Sequence, residues 1–66
     1  LSYEDVCVVV PTLDEEGSIE SVVKGFKELG FPNILVVDGH STDQTVAKAR
    51  EAGARVVLQS GIGKGQ

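Results

Sequence analysis

The 66-residue chain is long enough for one domain at most, and its 41% hydrophobic and 24% charged residues describe a globular rather than a disordered polypeptide. Its net charge of −4 comes from ten acids spread along the chain and six basic residues that do not cluster, so it offers no footprint for nucleic acid or for a polybasic membrane contact. One cysteine excludes an internal disulfide, and neither a signal-peptide pattern nor an apolar run near the roughly 18–20 residues of a membrane span is present, which favours a cytoplasmic setting.

Val6 to Val10 is a continuous β-branched run closed by Pro11, the pattern of a parallel strand covered on both faces. Cys7 lies inside it and reads as a small buried hydrophobe. From Ser18 the period changes. Ile19, Val22, Val23, Phe26 and Leu29 recur at spacings of three and four opposite Glu20, Ser21, Lys24, Lys27 and Glu28, predicting an amphipathic helix capped by Asp14 or Ser18 and ended by Gly30. Ile34 to Val37 is a second buried strand. A second helix runs from Thr42 or Asp43 to about Ala52, with Val46, Ala49 and Ala52 inward, and Gly53 ends it. Val56 to Leu58 is a third strand, and the Gly-rich segment from Gln59 to Gln66 follows as a loop.

This β-α-β-α-β order predicts an α/β fold with a partial, Rossmann-like parallel sheet, built by right-handed crossovers in the local strand order 3-2-1. A domain of this length buries only about 60% of the surface its unfolded chain exposes. Further polypeptide, from the same protein or a partner, is therefore expected along the open edge of the first strand.

Ligands of such sheets collect at the carboxyl ends of the strands, where helix starts supply free amides. Three polar segments share that end: PTLDEEGS, DGHSTDQT and QSGIGKGQ. Asp38, directly after ILVV, either accepts bonds from a ligand's base or sugar or caps its own loop. Gly39 fits a turn with unusual dihedrals or a close ligand approach. His40 reads as an ordinary loop residue, since no arrangement of Ser, Cys or acid points to a relay. Ser41, Thr42, Asp43 and Thr45 suit a helix start. Asp14, Glu15 and Glu16 are favoured at a helix start by charge alone, whereas an acid facing inward could select a ribose diol beside a wall made by Pro11 and Thr12. A divalent-metal site within the chain is disfavoured because no coordination loop is present. GIGKG is not a Walker A loop: Leu58 stands where its first Gly belongs, and Gly65 follows the Lys. Lys64 remains a positive charge suited to a diphosphate.

VVVPTLDEE, VVDGHSTDQT and GKG together resemble, in order and spacing, the nucleotide-binding half of family 2 glycosyltransferases with the GT-A fold, nearest to dolichol-phosphate or polyprenol-phosphate mannosyl and glucosyl transferases. The resemblance covers practically the whole chain, residues 1–66, as the N-terminal portion of a single GT-A domain. It implies a nucleotide lined by Pro11, Thr12, Leu13 and Glu15, with Pro11 and Leu13 near the base, Glu15 toward the ribose, Asp38 at the base, Gly39 beside the nucleotide and Lys64 near the diphosphate. The chain departs from the pattern at Asp14, where Asn is usual, and at Gly39, where a second Asp is usual. The implied reaction is inverting transfer of a hexose from a GDP- or UDP-sugar to a polyprenyl or dolichyl phosphate. It implies Mg²⁺ or Mn²⁺ held mainly by an Asp-x-Asp segment beyond Gln66, and no catalytic residue or metal ligand within the chain. Membrane association through regions outside the chain, at the cytoplasmic face, and a homo-oligomer are compatible with it. The alternative from another class is a non-catalytic α/β nucleotide-binding or regulatory module completed by a partner chain.

Overall fold

The computed structural model describes residues 4–59. They form β1 (Cys7–Thr12), α1 (Ile19–Glu28), β2 (Asn33–Asp38), α2 (Thr45–Glu51) and β3 (Arg55–Leu58). The strands are parallel in the order β1-β2-β3, the predicted order read from the other edge. Two crossovers turning the same way place both helices on one face of the sheet.

Alternation along the strands decides what each face holds. Val8, Val10 and Thr12 of β1 and Ile34, Val36 and Asp38 of β2 face the helices. Ile34 and Val36 join Ile19 and Val23 of α1, Ala49 of α2 and Ala54 in the core, with Val8, Val10, Phe26, Ala52 and Val56 packed against it. The opposite face carries Cys7, Val9, Pro11, Leu35, Val37 and Val57. Among the described residues nothing covers it: Val9 is 58% exposed and Val57 46%. The expectation of a first strand buried on both faces is therefore corrected. So is that of a buried cysteine, since Cys7 falls on the bare face and is exposed. Val22 and Leu29, assigned to the buried stripe of α1, are also exposed, because one sheet face covers only the Ile19–Val23–Phe26 side of the helix.

Pro11 does not close β1; it sits within the strand opposite Val37. The backbone oxygen of Thr12 accepts from Gly39 N at 2.8 Å, so Thr12 presents its backbone to β2 and Pro11 presents its nitrogen to the open edge. A proline is tolerated there because no ladder bond is lost.

Both helices end in the same way. Gly30 and Gly53 each adopt a φ of +103°. At α1, Phe31 N donates to Phe26 O and Gly30 N to Lys27 O; at α2, Ala54 N donates to Ala49 O and Gly53 N to Arg50 O. These are paired Schellman closures. Each has its apolar contact, an edge-to-face pair of Phe26 and Phe31 with centroids 6.2 Å apart, and the buried Ala49 and Ala54. α2 starts at Thr45 rather than Thr42 or Asp43, for a reason that lies in the loops.

A polar clasp at the carboxyl end of the sheet

At the carboxyl ends of β1 and β2 the two loops turn at equivalent positions. Leu13 and Gly39 follow the last strand residues, and the next residue in each loop is left-handed: Asp14 with φ 52° and His40 with φ 66°. Asp and His are among the non-glycine residues that tolerate this region best. The predicted unusual dihedral thus belongs to His40, and Gly39 lies outside the left-handed region.

Below the turns lies Asp38, whose residue is 0% exposed. Its carboxylate accepts from Thr12 Oγ1 at 2.8 Å, Ser41 N at 2.7 Å and Ser41 Oγ at 2.6 Å. Burial pushes its pKa up, but the bonds from the Ser41 side chain and backbone, Thr12 and the His40 backbone outweigh this and hold it below the ordinary carboxylate value. Its backbone oxygen accepts from Gln59 N at 2.7 Å. Asp38 therefore ties together the chain after all three strands. Of the two roles open for it, the geometry displays the capping one. That side chain faces the helices, and its oxygens are occupied by these partners. Thr12 shares that face: it is 8% exposed and bonded to Asp38.

The two loops then clasp each other above this pair. Asp14 N donates to Ser41 Oγ at 2.7 Å and Thr42 N donates back to Asp14 Oδ1 at 2.8 Å. Glu15 N donates to Thr45 Oγ1 at 2.7 Å, Glu16 N to Asp43 Oδ2 at 3.2 Å and Gln44 N to Glu16 Oε1 at 3.0 Å. Thr45, 0% exposed, also donates from both its N and Oγ1 to Asp43 Oδ1. The Asp43 carboxyl feels some desolvation, yet the bonds from Thr45 and Glu16 hold its pKa down. Thr42, Asp43 and Gln44 are drawn across to the first loop, and this delays α2 to Thr45. The acids Asp14 and Glu16 are thus spent on backbone amides. Glu15 stays exposed with Oε1 accepting from Ser18 Oγ at 3.1 Å. Among the described residues no group of three or more His, Cys, Asp or Glu is placed to hold a metal ion, and no helix is long and apolar enough to cross a membrane.

The candidate residues therefore divide by face. Pro11, Leu13 and Gly39 share the bare face, Thr12 and Asp38 the helix face, and Glu15 lies in the clasp. Lys64 lies outside the described residues. A hollow of about 330 Å³ bordered by Glu4, Asp5, Cys7, Asn33 and Arg55 lies at the amino ends of the strands. It is remote from the helix starts, so the carboxyl-end rim is the better candidate for an anionic ligand. Gln59 went unread in the sequence; its signal is register, since it follows Leu58, which pairs with Asp38.

A family model described as Glycosyl transferase family 2 matches residues 7–66. The glycosyltransferase AglJ of Haloferax volcanii is 51% identical over 61 residues, covering 92% of this chain and 20% of that protein. Glucosyl-3-phosphoglycerate synthase of Mycobacterium tuberculosis is 42% identical over 55 residues, or 79% of this chain and 17% of that protein. A crystal structure of the M. tuberculosis synthase with Mn²⁺, UDP-glucose and glycerol 3-phosphate matches with a TM-score of 0.72 at 42% identity, covering 79% of this chain and 20% of that one. The chain thus spans about a fifth of the length of these relatives.

Proposed function

The chain belongs to glycosyl transferase family 2, and we propose that it is the nucleotide-sugar-binding portion of a GT-A glycosyltransferase that moves a hexose from a GDP- or UDP-sugar to a polyprenyl or dolichyl phosphate. One observation carries the binding role: the clasp holds two strand ends and two helix starts in a fixed relation, leaving Pro11, Leu13 and Gly39 on one face of the rim. A rigid rim of this kind positions a donor without reorganisation at the moment of reaction. The UDP-glucose in the M. tuberculosis structure supports a nucleotide sugar as ligand.

In the proposed reaction a phosphate oxygen of the acceptor attacks the anomeric carbon from the face opposite the leaving group. The bond from that carbon to the nucleoside diphosphate breaks, and the configuration inverts. Pro11 and Leu13 would pack on the base, Glu15 would reach the ribose and Lys64 would offset diphosphate charge. Thr12 and Asp38 would act from beneath as positioning residues. Mg²⁺ or Mn²⁺, whose use is supported by the Mn²⁺ in the relative's structure, would neutralise the leaving diphosphate. Asp14, Glu16 and Asp43 are committed to amides, so the metal's ligands are assigned outside this segment. A cytoplasmic setting, beside a membrane that supplies the acceptor, follows from the lipid reading.

The relatives that make glucosyl-3-phosphoglycerate favour a second acceptor class, a small phosphorylated acid. Incubating the full-length protein with UDP-glucose or GDP-mannose, Mn²⁺, and either dolichyl phosphate or 3-phosphoglycerate separates them. Glycolipid formation is the expected result. Sugar transfer to 3-phosphoglycerate alone overturns the lipid acceptor, and nucleotide-sugar binding without transfer to either acceptor favours the non-catalytic nucleotide-binding module.

A further inference from the structure

The row of residues just beyond the strands contains a group that no role above uses. Thr12, Asp38 and Leu58 are register partners across the three strands. The bonds Gly39 N to Thr12 O at 2.8 Å and Gln59 N to Asp38 O at 2.7 Å carry the ladder one residue further. Leu13, Gly39 and Gln59 therefore form the next row. By alternation their side-chain positions lie on the bare face, above Pro11, Val37 and Val57.

Three properties of that row point to a flat, edge-polar ligand. Gly39 is a notch: a Cβ built there would lie 3.4 Å from Thr12 O, 3.5 Å from Gln59 Oε1 and 3.8 Å from Leu13 Cδ1. Leu13, 58% exposed, forms one apolar wall of it. Gln59 forms the other. Its backbone is pinned from both sides, by Asp38 O and by His40 Nε2 at 2.9 Å from its carbonyl oxygen. Among the described residues its carboxamide has no hydrogen-bond partner.

Building on the nucleotide-sugar reading, we infer that Gln59 reads the base of the donor nucleotide, with the ring seated over the Gly39 notch against Leu13. A carboxamide offers one donor beside one acceptor. That pair complements an imide edge, a ring N–H next to a carbonyl, which uracil and guanine both present. Two bonds form: the Gln59 oxygen accepts from the ring N–H, and its NH₂ donates to the adjacent carbonyl. A Cβ at position 39 meets only ordinary van der Waals contacts, and the backbone there is outside the left-handed region, so a larger residue folds normally while its side chain fills the notch and blocks the ring.

Calorimetric titration of the full-length protein with UDP, GDP and base-free ribose 5-diphosphate tests this. Gln59→Ala is expected to weaken UDP or GDP by about tenfold, the loss of a pair of neutral hydrogen bonds, while ribose 5-diphosphate binds as before. Gln59→Glu, which keeps acceptors and turns a negative charge toward the base carbonyl, should weaken the nucleotide at least as much. Gly39→Leu should do the same without lowering thermal stability. Unchanged UDP and GDP affinity in Gln59→Ala, or an equal loss for the base-free ligand, overturns the inference and leaves the proposed function intact. A wild-type protein that binds neither nucleotide overturns both.

Discussion

The two faces of the sheet are made from the same strands and differ in nearly everything else. On the helix side, Ile34, Val36 and Asp38 are 3%, 0% and 0% exposed; on the other, Val9 is 58% exposed although it pairs directly with Leu35 of the central strand. The helix face closes with apolar contacts and then, at its carboxyl end, with the buried hydroxyl–carboxylate pair of Thr12 and Asp38. The bare face ends in a glycine notch. The difference separates what holds the rim in place from what the rim offers to a ligand.

The largest effect that tests this contrast is a cavity. Ile34→Ala should cost about 2–5 kcal/mol in urea denaturation of the 66-residue chain, whereas Val9→Ala in the same chain should cost less than about 0.5 kcal/mol. Comparable losses at both sites in the short chain would erase the distinction. Next comes Asp38→Ala, which strands the Thr12 hydroxyl and the Ser41 amide and should cost about 2–3 kcal/mol. Asp38→Asn, which keeps an acceptor, should cost less, and both should weaken nucleotide binding through the rim.

The third test is acid. The Asp38 and Asp43 carboxyls are held below their ordinary value in the folded chain. Their stabilisation is therefore fully present above the unfolded value of about 3.9 and is lost as pH falls through the folded values. Thermal melts should decline below about pH 4, less steeply in Asp38→Asn; an unchanged slope would show that other carboxylates govern the acid limb. The smallest effect has the opposite sign. Gly25 is inside α1 with nothing within 4 Å of an added Cβ, so Gly25→Ala should stabilise by about 0.5–1 kcal/mol.

The element order, strand order and both helix stops were legible in the sequence because they depend on local period and on Gly30 and Gly53. Cys7 and Val9 were misread because a β-branched run looks the same whether one or both faces are covered. The late start of α2 was invisible, since it depends on bonds such as Gln44 to Glu16 and Thr42 to Asp14 that span 28 positions. Thr12 and Asp38 were grouped with Pro11, Leu13 and Gly39 by position at the strand ends and by the family resemblance. Strand parity would have separated them: Val8, Val10 and Thr12 share one face, and so do Ile34, Val36 and Asp38.

Pro11 gives the open edge of β1 a defined fault line. A strand that docks along that edge finds donors below and none at this level, so the ladder lacks a rung one residue before the strand ends. The Pro11 carbonyl still offers an acceptor there, so such a neighbour is held at that height by one bond in place of two. The missing donor thus marks the level at which a completed sheet is least tightly laced.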